Sequence, residues 1–281
     1  MKYCASLMVA SLFSAGALLA GPVVTPVSDA AALTGALLGA GVTVSGTPTL
    51  TQGGPQSGTF TNGPSLLGFS NGIVLSSGDA MSAGGNYAGA DLPSTNEGGA
   101  GSAALSALIG GVATHDASVL TFNFIPTSST VYFSYVFASA EYPDFVNSEF
   151  NDVFGFFVNG KNYALIPGTD TPVSVNNVNP GNNAAFFKQY NTDGDELAYG
   201  GETIPLTFSA PVNPGVVNTI SLGIADTSDA VLDSAVFIEG GTFSVVPPTP
   251  SATPEPTPIA LVGIGLLGAA GFTLARRRQR G

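Results

Sequence analysis

The strongest constraint on the fold is an alternating apolar stretch in the middle of the chain. Four apolar side chains stand at every second position there: Val131, Phe133, Tyr135 and Phe137. A β-strand would place all four on one face. The near-continuous apolar run at 153–158 predicts a strand covered on both faces, and Asn159-Gly160 after it favours the positive φ angles of a type I′ turn. The stretch therefore predicts a β-hairpin in the core of a β-rich domain.

The rest of the chain predicts short strands joined by turns, with one or two short helices. The sequence has 37 Gly and 20 Pro, and only 9% of its residues are charged, which is typical of such folds. Ser28-Asp29 and Ser102 are expected to cap helices that end at glycines. Six further segments predict strands: 42–50, 72–76, 120–124, 204–208, 219–224 and 236–245. We predict a mainly all-β fold, a single jelly-roll-like β-sandwich, followed by a C-terminal transmembrane helix.

Four carboxylates lie between the two central apolar runs: Glu141, Asp144, Glu149 and Asp152. No Lys or Arg occurs between Lys2 and Lys161, so these acids have no basic partner nearby in the sequence. Four hard oxygen ligands on a loop between strands suit Ca²⁺, which accepts six to eight oxygens in a flexible geometry. The spacing matches no EF-hand loop. A solvated acidic loop that binds no ion is the alternative interpretation.

A second acidic segment precedes the last predicted strand. It contains Asp226, Asp229 and Asp233, whose carboxylates are expected either to cap backbone N–H groups or to bind Ca²⁺. The Asn-x-Asp-x-Asp spacing at 191–195 starts like a calcium loop, but no Gly stands at its sixth position as an EF-hand requires. This loop predicts either a further set of oxygen ligands or a plain turn.

Charge and cysteine content exclude several classes of protein. Between the two ends, the chain carries 18 acids (19 minus Glu255) against Lys161 and Lys188, a net charge of about −16. Such a domain repels nucleic acid and anionic lipid and attracts cations, so we predict no nucleic-acid partner. The single cysteine, Cys4, lies in the N-terminal segment. The mature chain is therefore expected to be held together by its core or by metal, not by a disulfide.

Both ends of the chain have the composition of export signals. Residues 1–20 carry one charge, Lys2, before an apolar run, which predicts a secretory signal peptide, with a permanent anchor as the alternative. At the other end, 259–275 is uncharged and near the lower length limit for a transmembrane helix. The arginines after it keep the tail in the cytoplasm by the positive-inside rule. The predicted organisation is a signal peptide (1–20), a β-sandwich domain (21–246), a proline-stiffened linker (247–258) and a transmembrane helix with an Arg-rich tail (259–281).

The central stretch resembles the core motifs of a known family, the choice-of-anchor L domain. The similar segments are FASAEYPDFVNSEFNDVFGFFVNG at 137–160 and ALIPGTDTPVSVNNVN at 164–179, with weaker similarity over 30–245. The resemblance implies an extracellular β-rich surface module and supplies no reaction. One position departs from the family, which often has two consecutive acids before Tyr142. The first is here Ala140, which weakens any metal site that uses both.

The C-terminal segment resembles the PEP-CTERM sorting signal, because a Pro-Glu-Pro motif, an apolar helix and an arginine cluster occur in fixed order. The residues that carry the resemblance are Pro254, Glu255, Pro256, Arg276, Arg277 and Arg278. It implies recognition by an exosortase, a membrane-embedded transpeptidase-like enzyme of Gram-negative bacteria, with processing near the motif. The expected route is export, an inner-membrane intermediate, and delivery to the cell envelope or extracellular surface. A permanent single-span anchor is the alternative.

No motif in the sequence predicts an enzyme. His115 is the only histidine, and its neighbour Asp116 would point to the opposite side of a strand. Motifs for a serine nucleophile, a phosphate loop and a zinc protease are missing from the sequence. We predict a non-enzymatic structural, matrix or adhesion module stabilised by calcium, whose partners are the secretion machinery, an exosortase, and exopolysaccharide or other surface proteins. Two alternatives stay open: a carbohydrate-binding module of the extracellular matrix, and a glycoside hydrolase that uses Glu141 and Glu149 as a carboxylate pair.

Overall fold

Two antiparallel β-sheets form the body of the domain. The computed structural model describes residues 20–63 and 66–248. The strands are β1 (Val23–Pro26), β2 (Val42–Thr51), β3 (Ser57–Thr61), β4 (Gly72–Ser76), β5 (Thr114–Pro126), β6 (Thr130–Ser139), β7 (Val153–Val158), β8 (Lys161–Asn162), β9 (Phe187–Tyr190), β10 (Gly201–Thr203), β11 (Leu206–Pro211), β12 (Asn218–Thr227) and β13 (Ser234–Glu239). They are accompanied by helices α1 (Ala30–Leu37) and α2 (Ala103–Leu108), and by 3₁₀ helices at Ala80–Ala83 and Ala184–Phe186.

The chain passes back and forth between the two sheets. The larger sheet has the order β1-β3-β4-β13-β6-β10-β9, with β11 also paired to β6, and the smaller has the order β2-β5-β12-β7-β8. Within them, β4-β13-β6-β11 and β5-β12-β7-β8 follow the strand order of an eight-stranded jelly roll. The predicted mainly-β sandwich of two sheets is confirmed.

Aromatic rings dominate the core between the sheets. The four alternating residues of β6 are each at most 1% exposed, as predicted. The ring centroid of Phe156 on β7 lies 4.1 Å from that of Phe133 and 5.3 Å from that of Tyr135. Both pairs meet edge to face, the favoured geometry for aromatic rings. The two central strands of the prediction therefore pack against each other across the sandwich.

Both sheets are also covered on their outer faces. Val136 on β6 and Phe237 on β13 point away from the main core into a second cluster with Phe60 and Tyr199. On the smaller sheet, Leu105 of α2 packs against β7 and β12. This explains why the run at 153–158 is almost continuously apolar, and it confirms the prediction of a strand covered on both faces.

The helices begin at the predicted caps. The Asp29 side chain accepts a hydrogen bond from the backbone N–H of Ala31 at 2.9 Å, and Ser102 caps α2 in the same way. Leu33 and Leu37 bury one face of α1 in the core. The chain leaves α2 through Gly110-Gly111, both with positive φ, a conformation that glycine adopts without steric strain.

Three strand boundaries differ from the prediction. The last strand ends at Glu239, not at 245, and Gly241 with a φ of 72° turns the chain beyond it. The segment 204–208 does not form one strand, because β10 ends before it and β11 begins inside it. The return strand of the Asn159-Gly160 hairpin is only the two residues of β8.

The predicted export signals lie outside the described residues. These are the signal peptide up to residue 19, the linker from 249 onwards and the transmembrane segment with its tail, including Pro254, Glu255, Pro256, Arg276, Arg277 and Arg278. Within 20–63 and 66–248, no helix has the length and apolar character needed to cross a membrane.

Candidate functional site

Strand pairing brings four of the predicted acids to one end of the sandwich. Asp226 follows the Ala225–Val153 pair of β12 and β7, so it lies opposite Asp152. The backbone carbonyl of Asp233, just before β13, accepts the N–H of Ala140 at 2.9 Å, next to Glu141. We call these four acids, Glu141, Asp152, Asp226 and Asp233, the inner group. All four are at most 2% exposed.

Two members of the inner group hold neighbouring loops through hydrogen bonds. Asp152 Oδ1 accepts the N–H of Thr227 at 2.9 Å, and its Oδ2 accepts the hydroxyl of Ser234 at 2.6 Å. Asp233 Oδ1 accepts the N–H of Thr95 at 2.9 Å. The predicted capping of a backbone N–H group is therefore present for Asp233, and Asp152 caps one as well, which was not predicted.

Other oxygens of the inner group meet no donor. Both carboxylate oxygens of Asp226, Oδ2 of Asp233 and Oε2 of Glu141 have no hydrogen-bond partner among the described residues. The Ser77 hydroxyl lies close enough to Asp226 to lower its pKa, although not in hydrogen-bonding geometry. Burying a polar atom without a partner costs about 1–3 kcal/mol, and more for a charged group. Each of these carboxylates therefore needs a proton or a cation.

Burial raises the pKa of every acid in the inner group. Desolvation, with added repulsion from Asp152 and Asp229, raises the pKa of Glu141 to about 9. Desolvation also raises the pKa of Asp152 to about 8, although the hydrogen bonds from Ser234 and Thr227 oppose the rise. The same cause raises the pKa of Asp226 to about 10 and that of Asp233 to about 7. A cation beside these groups would favour their ionised forms.

Lysine does not compensate these charges. Of the residues that the structure describes, only Lys161 and Lys188 carry an ammonium group, and neither is among the charges that act on the inner group. Lys161 lies 5.2 Å above the ring of Tyr163. Lys188 acts instead on Glu202, whose pKa burial raises to about 8. Within the described residues, the inner group is thus a buried set of carboxyl groups on which no cationic side chain acts.

The inner group is not a preassembled ion site. In the described part of the chain, no three His, Cys, Asp or Glu side chains converge so as to hold one metal ion. An ion there would take one or two carboxylates together with neutral oxygens, a mixture that Ca²⁺ accepts. Neutral oxygens of this kind adjoin the group, because the hydroxyls of Tyr199 and Ser77 lie within the field of Asp226.

Three of the seven predicted metal ligands lie outside the inner group. Asp144 and Glu149 are exposed, and Asp229 is half-buried. Asp229 still raises the pKa of Glu141, whereas Glu149 is not among the charges that do so. The arrangement therefore lends no support to Glu141 and Glu149 as a hydrolytic pair.

Three acids that were not predicted as ligands adjoin the inner group: Asp79, Glu97 and Asp116, which we call the outer group. Their negative charges all act on Asp233. Asp116 is 1% exposed and has a φ of 46°, unusual for a residue in a strand. The acidic Gly78-Asp79 turn and the glycine-rich loop at 84–101 are visible in the sequence, but nothing there shows that they approach residue 233.

Local contacts explain two other features of the sequence. The Asp116 oxygens accept the N–H groups of Glu97, at 2.9 Å, and Gly99, so they do not orient the neighbouring His115. In the 191–195 loop, Asp195 Oδ2 accepts the N–H of Thr192 at 2.7 Å. This hydrogen bond closes a turn, which is the second of the two predictions made for this loop.

The fold and this site together define a strongly acidic antiparallel β-sandwich whose candidate site is a buried carboxylate cluster. The model of the choice-of-anchor L domain family matches residues 27–244, and the chain belongs to this family. No curated protein and no solved structure gives a significant match. Family membership indicates an exported, surface-associated protein.

Proposed function

We propose that this protein is a non-enzymatic structural, matrix or adhesion module of the envelope of a Gram-negative bacterium, sorted by an exosortase and stabilised by Ca²⁺. Its partners at the surface would be exopolysaccharide or other surface proteins. Family membership supports the surface location. The observation that most supports calcium is the complete burial of Asp226, with both carboxylate oxygens lacking a donor among the described residues.

A calcium ion in the inner group would join strand ends from both sheets. Asp226 is the penultimate residue of β12 and Asp152 precedes β7 in the smaller sheet. Asp233 precedes β13 and Glu141 follows β6 in the larger sheet. An ion that binds the folded chain and not the unfolded one stabilises the fold. Its role would therefore be structural: it would fasten the two sheets at one end of the sandwich.

The chemistry of the inner group favours Ca²⁺ over other common ions. Zinc sites use Cys and His ligands, whereas the inner group consists of carboxylates. Mg²⁺ demands near-ideal octahedral geometry and dehydrates reluctantly, which suits poorly a group whose acids are buried away from water. Extracellular modules bind Ca²⁺ with a Kd of about 10⁻⁴–10⁻³ M, and we expect an affinity in this range.

Thermal unfolding of the full chain in chelator and in about 10 mM CaCl₂ tests the calcium proposal. At roughly 10–100 times Kd the ion adds about 1.4–2.7 kcal/mol, or a rise in Tm of about 3–10 °C for a domain of this size. MgCl₂ at equal ionic strength is the control. A Tm that is the same in chelator and in calcium would contradict the proposal.

The sorting proposal rests on the C-terminal sequence, and expression in a host that contains an exosortase tests it. We expect the natural chain to lose its C-terminal segment and reach the envelope surface, as seen by fractionation and mass spectrometry of the terminus. Replacement of Pro254, Glu255 and Pro256 by alanine should leave an uncut chain in the inner membrane. Pro247→Ala, in the same linker, is the matched control. Unchanged processing of the triple variant would contradict exosortase recognition.

A further inference from the structure

Two aromatic rings on the loop between β6 and β7 pack against each other and not against the core. Phe145 and Phe150 are each half-buried, with ring centroids 5.4 Å apart and ring planes at 87°. Among the described residues, neither is one of the side chains that form the three buried clusters or pack against them, whereas Val146 packs on the main core. Core packing therefore does not account for these two rings.

Hydrogen bonds hold the loop that carries the rings in one arrangement. The N–H of Asn147 donates to Asn176 Oδ1 at 2.6 Å, and Asn176 Nδ2 donates to the carbonyl of Ser148 at 2.8 Å. The N–H of Asn176 in turn donates to Asn151 Oδ1 at 2.8 Å. Binding residues are common on loops that a rigid scaffold positions, and a preorganised loop loses little freedom when it binds. The rings are thus presented by an ordered loop.

Polar side chains next to the rings in the chain have unused hydrogen-bonding capacity. The amide NH₂ groups of Asn147 and Asn151 have no acceptor among the described residues. The exposed carboxylates of Asp144 and Glu149 accept no hydrogen bond there either. A sugar suits this combination, because its C–H face is apolar and its hydroxyls both donate and accept. We call the following set the loop site: Asp144, Phe145, Asn147, Glu149, Phe150 and Asn151.

Size and charge favour a polysaccharide over a protein at the loop site. Two rings make a small apolar patch, whereas a specific protein interface covers more than about 1,000 Å² and has an apolar centre. The two exposed acids of the loop site, in a domain that is itself strongly acidic, repel polyanions. The sugar chain that fits is therefore an uncharged one.

We propose that the loop site binds an uncharged polysaccharide of the extracellular matrix. Sugar rings stack their C–H faces on Phe145 and Phe150, and sugar hydroxyls bond to the amides and carboxylates beside them. This inference rests on the matrix or adhesion role proposed above and names the partner for that role. It depends neither on calcium nor on sorting, and it gives a role to Asp144 and Glu149, which lie outside the inner group.

Affinity electrophoresis of the full chain tests the proposal. The probes are three neutral polysaccharides, dextran, levan and galactomannan, and one polyanion, alginate, each cast into a native gel that contains calcium. We expect at least one neutral polysaccharide to retard the protein and alginate to leave its migration unchanged. Added salt should not weaken the retardation, because no charge on the ligand takes part.

Matched variants locate the binding site. Phe145→Ala and Phe150→Ala should each raise the Kd at least about fivefold, as expected for an aromatic residue central to a binding surface. Their Tm should stay close to that of the natural chain, because neither ring packs on the core. Phe150→Tyr keeps the ring and should bind like the natural chain. Val216→Ala, at an exposed apolar residue of another loop, is the control.

The outcomes separate the site from the partner. Equal retardation of the natural chain and the two alanine variants would overturn the loop site and leave a polysaccharide partner in place. No retardation of the natural chain by any neutral polysaccharide would overturn both, while calcium binding and sorting keep their own tests. A natural chain that is dimeric by light scattering, with monomeric alanine variants, would overturn the proposal by assigning the two rings to a contact between copies.

Discussion

Replacing Asp226 by asparagine removes the most strongly perturbed charge of the inner group while keeping the shape of the side chain. In the fold the carboxyl has a pKa of about 10, against 3.8 for an unperturbed group. At pH 8 it is protonated in the folded chain and ionised in the unfolded one, which costs up to about 6 kcal/mol at 1.36 kcal/mol per unit. Removing the carboxyl group removes this cost, but the amide that replaces it is buried with unsatisfied donors, which destabilises the variant by about 1–3 kcal/mol. In chelator at pH 8 we therefore expect Asp226→Asn to be more stable by about 3–5 kcal/mol.

Calcium should reduce the difference in the free energy of unfolding between Asp226→Asn and the natural chain. The natural chain gains about 1.4–2.7 kcal/mol from the ion, whereas Asp226→Asn, which lacks the carboxylate, should gain little. Urea unfolding at pH 8 with and without about 10 mM CaCl₂ measures both quantities, and Asp144→Asn, an exposed acid outside the inner group, is the control. If Asp226→Asn is destabilised in chelator, or responds to calcium as strongly as the natural chain, the reasoning is refuted.

Three further outcomes are expected. Without calcium, the free energy of unfolding should fall as pH rises from about 4 to about 10, because the folded state holds protons that the unfolded state releases; a rise in urea midpoint over this range would contradict it. Gly78→Ala should lower the free energy of unfolding by about 1–3 kcal/mol, because the added Cβ overlaps Asp233. The control, Gly35→Ala in α1, has open space around it and should raise the free energy of unfolding by about 0.5–1 kcal/mol. Equal changes in Tm for the two variants would refute the packing argument. Phe156→Ala should cost about 3–5 kcal/mol in chemical denaturation, against little change for the exposed Val216→Ala, and a small loss at Phe156 would place it outside the core.

Local patterns in the sequence predict the core strands and helices well. The alternation from Val131 to Phe137 gives the buried face of β6, and Asp29 gives the start of α1, because each depends on neighbouring residues. The short strands β1 and β9 were not predicted. Their four residues each, VVTP and FKQY, are too short to show a clear alternation, and they form only by pairing with distant strands.

The site was predicted in parts, but its assembly was not. Glu141, Asp152, Asp226 and Asp233 were candidates in two separate acidic segments, and only the pairing of β12 with β7 and of β13 with β6 joins them. Register between strands far apart in the chain is set by the whole core. Asp116 was considered only as a partner of His115. In the structure it has a positive φ and accepts hydrogen bonds from the backbone of Glu97 and Gly99, and no local sequence pattern predicts either feature.

The most direct test of the account is a crystal structure of the protein grown with Ca²⁺ at pH 8, with anomalous diffraction recorded to locate calcium. The account predicts an anomalous peak within ligand distance, about 2.3–2.6 Å, of carboxylate oxygens of the inner group, Asp226 among them. Carboxyl groups hydrogen-bonded to one another, with no anomalous peak beside them, would show that protons alone neutralise this buried cluster and would contradict it.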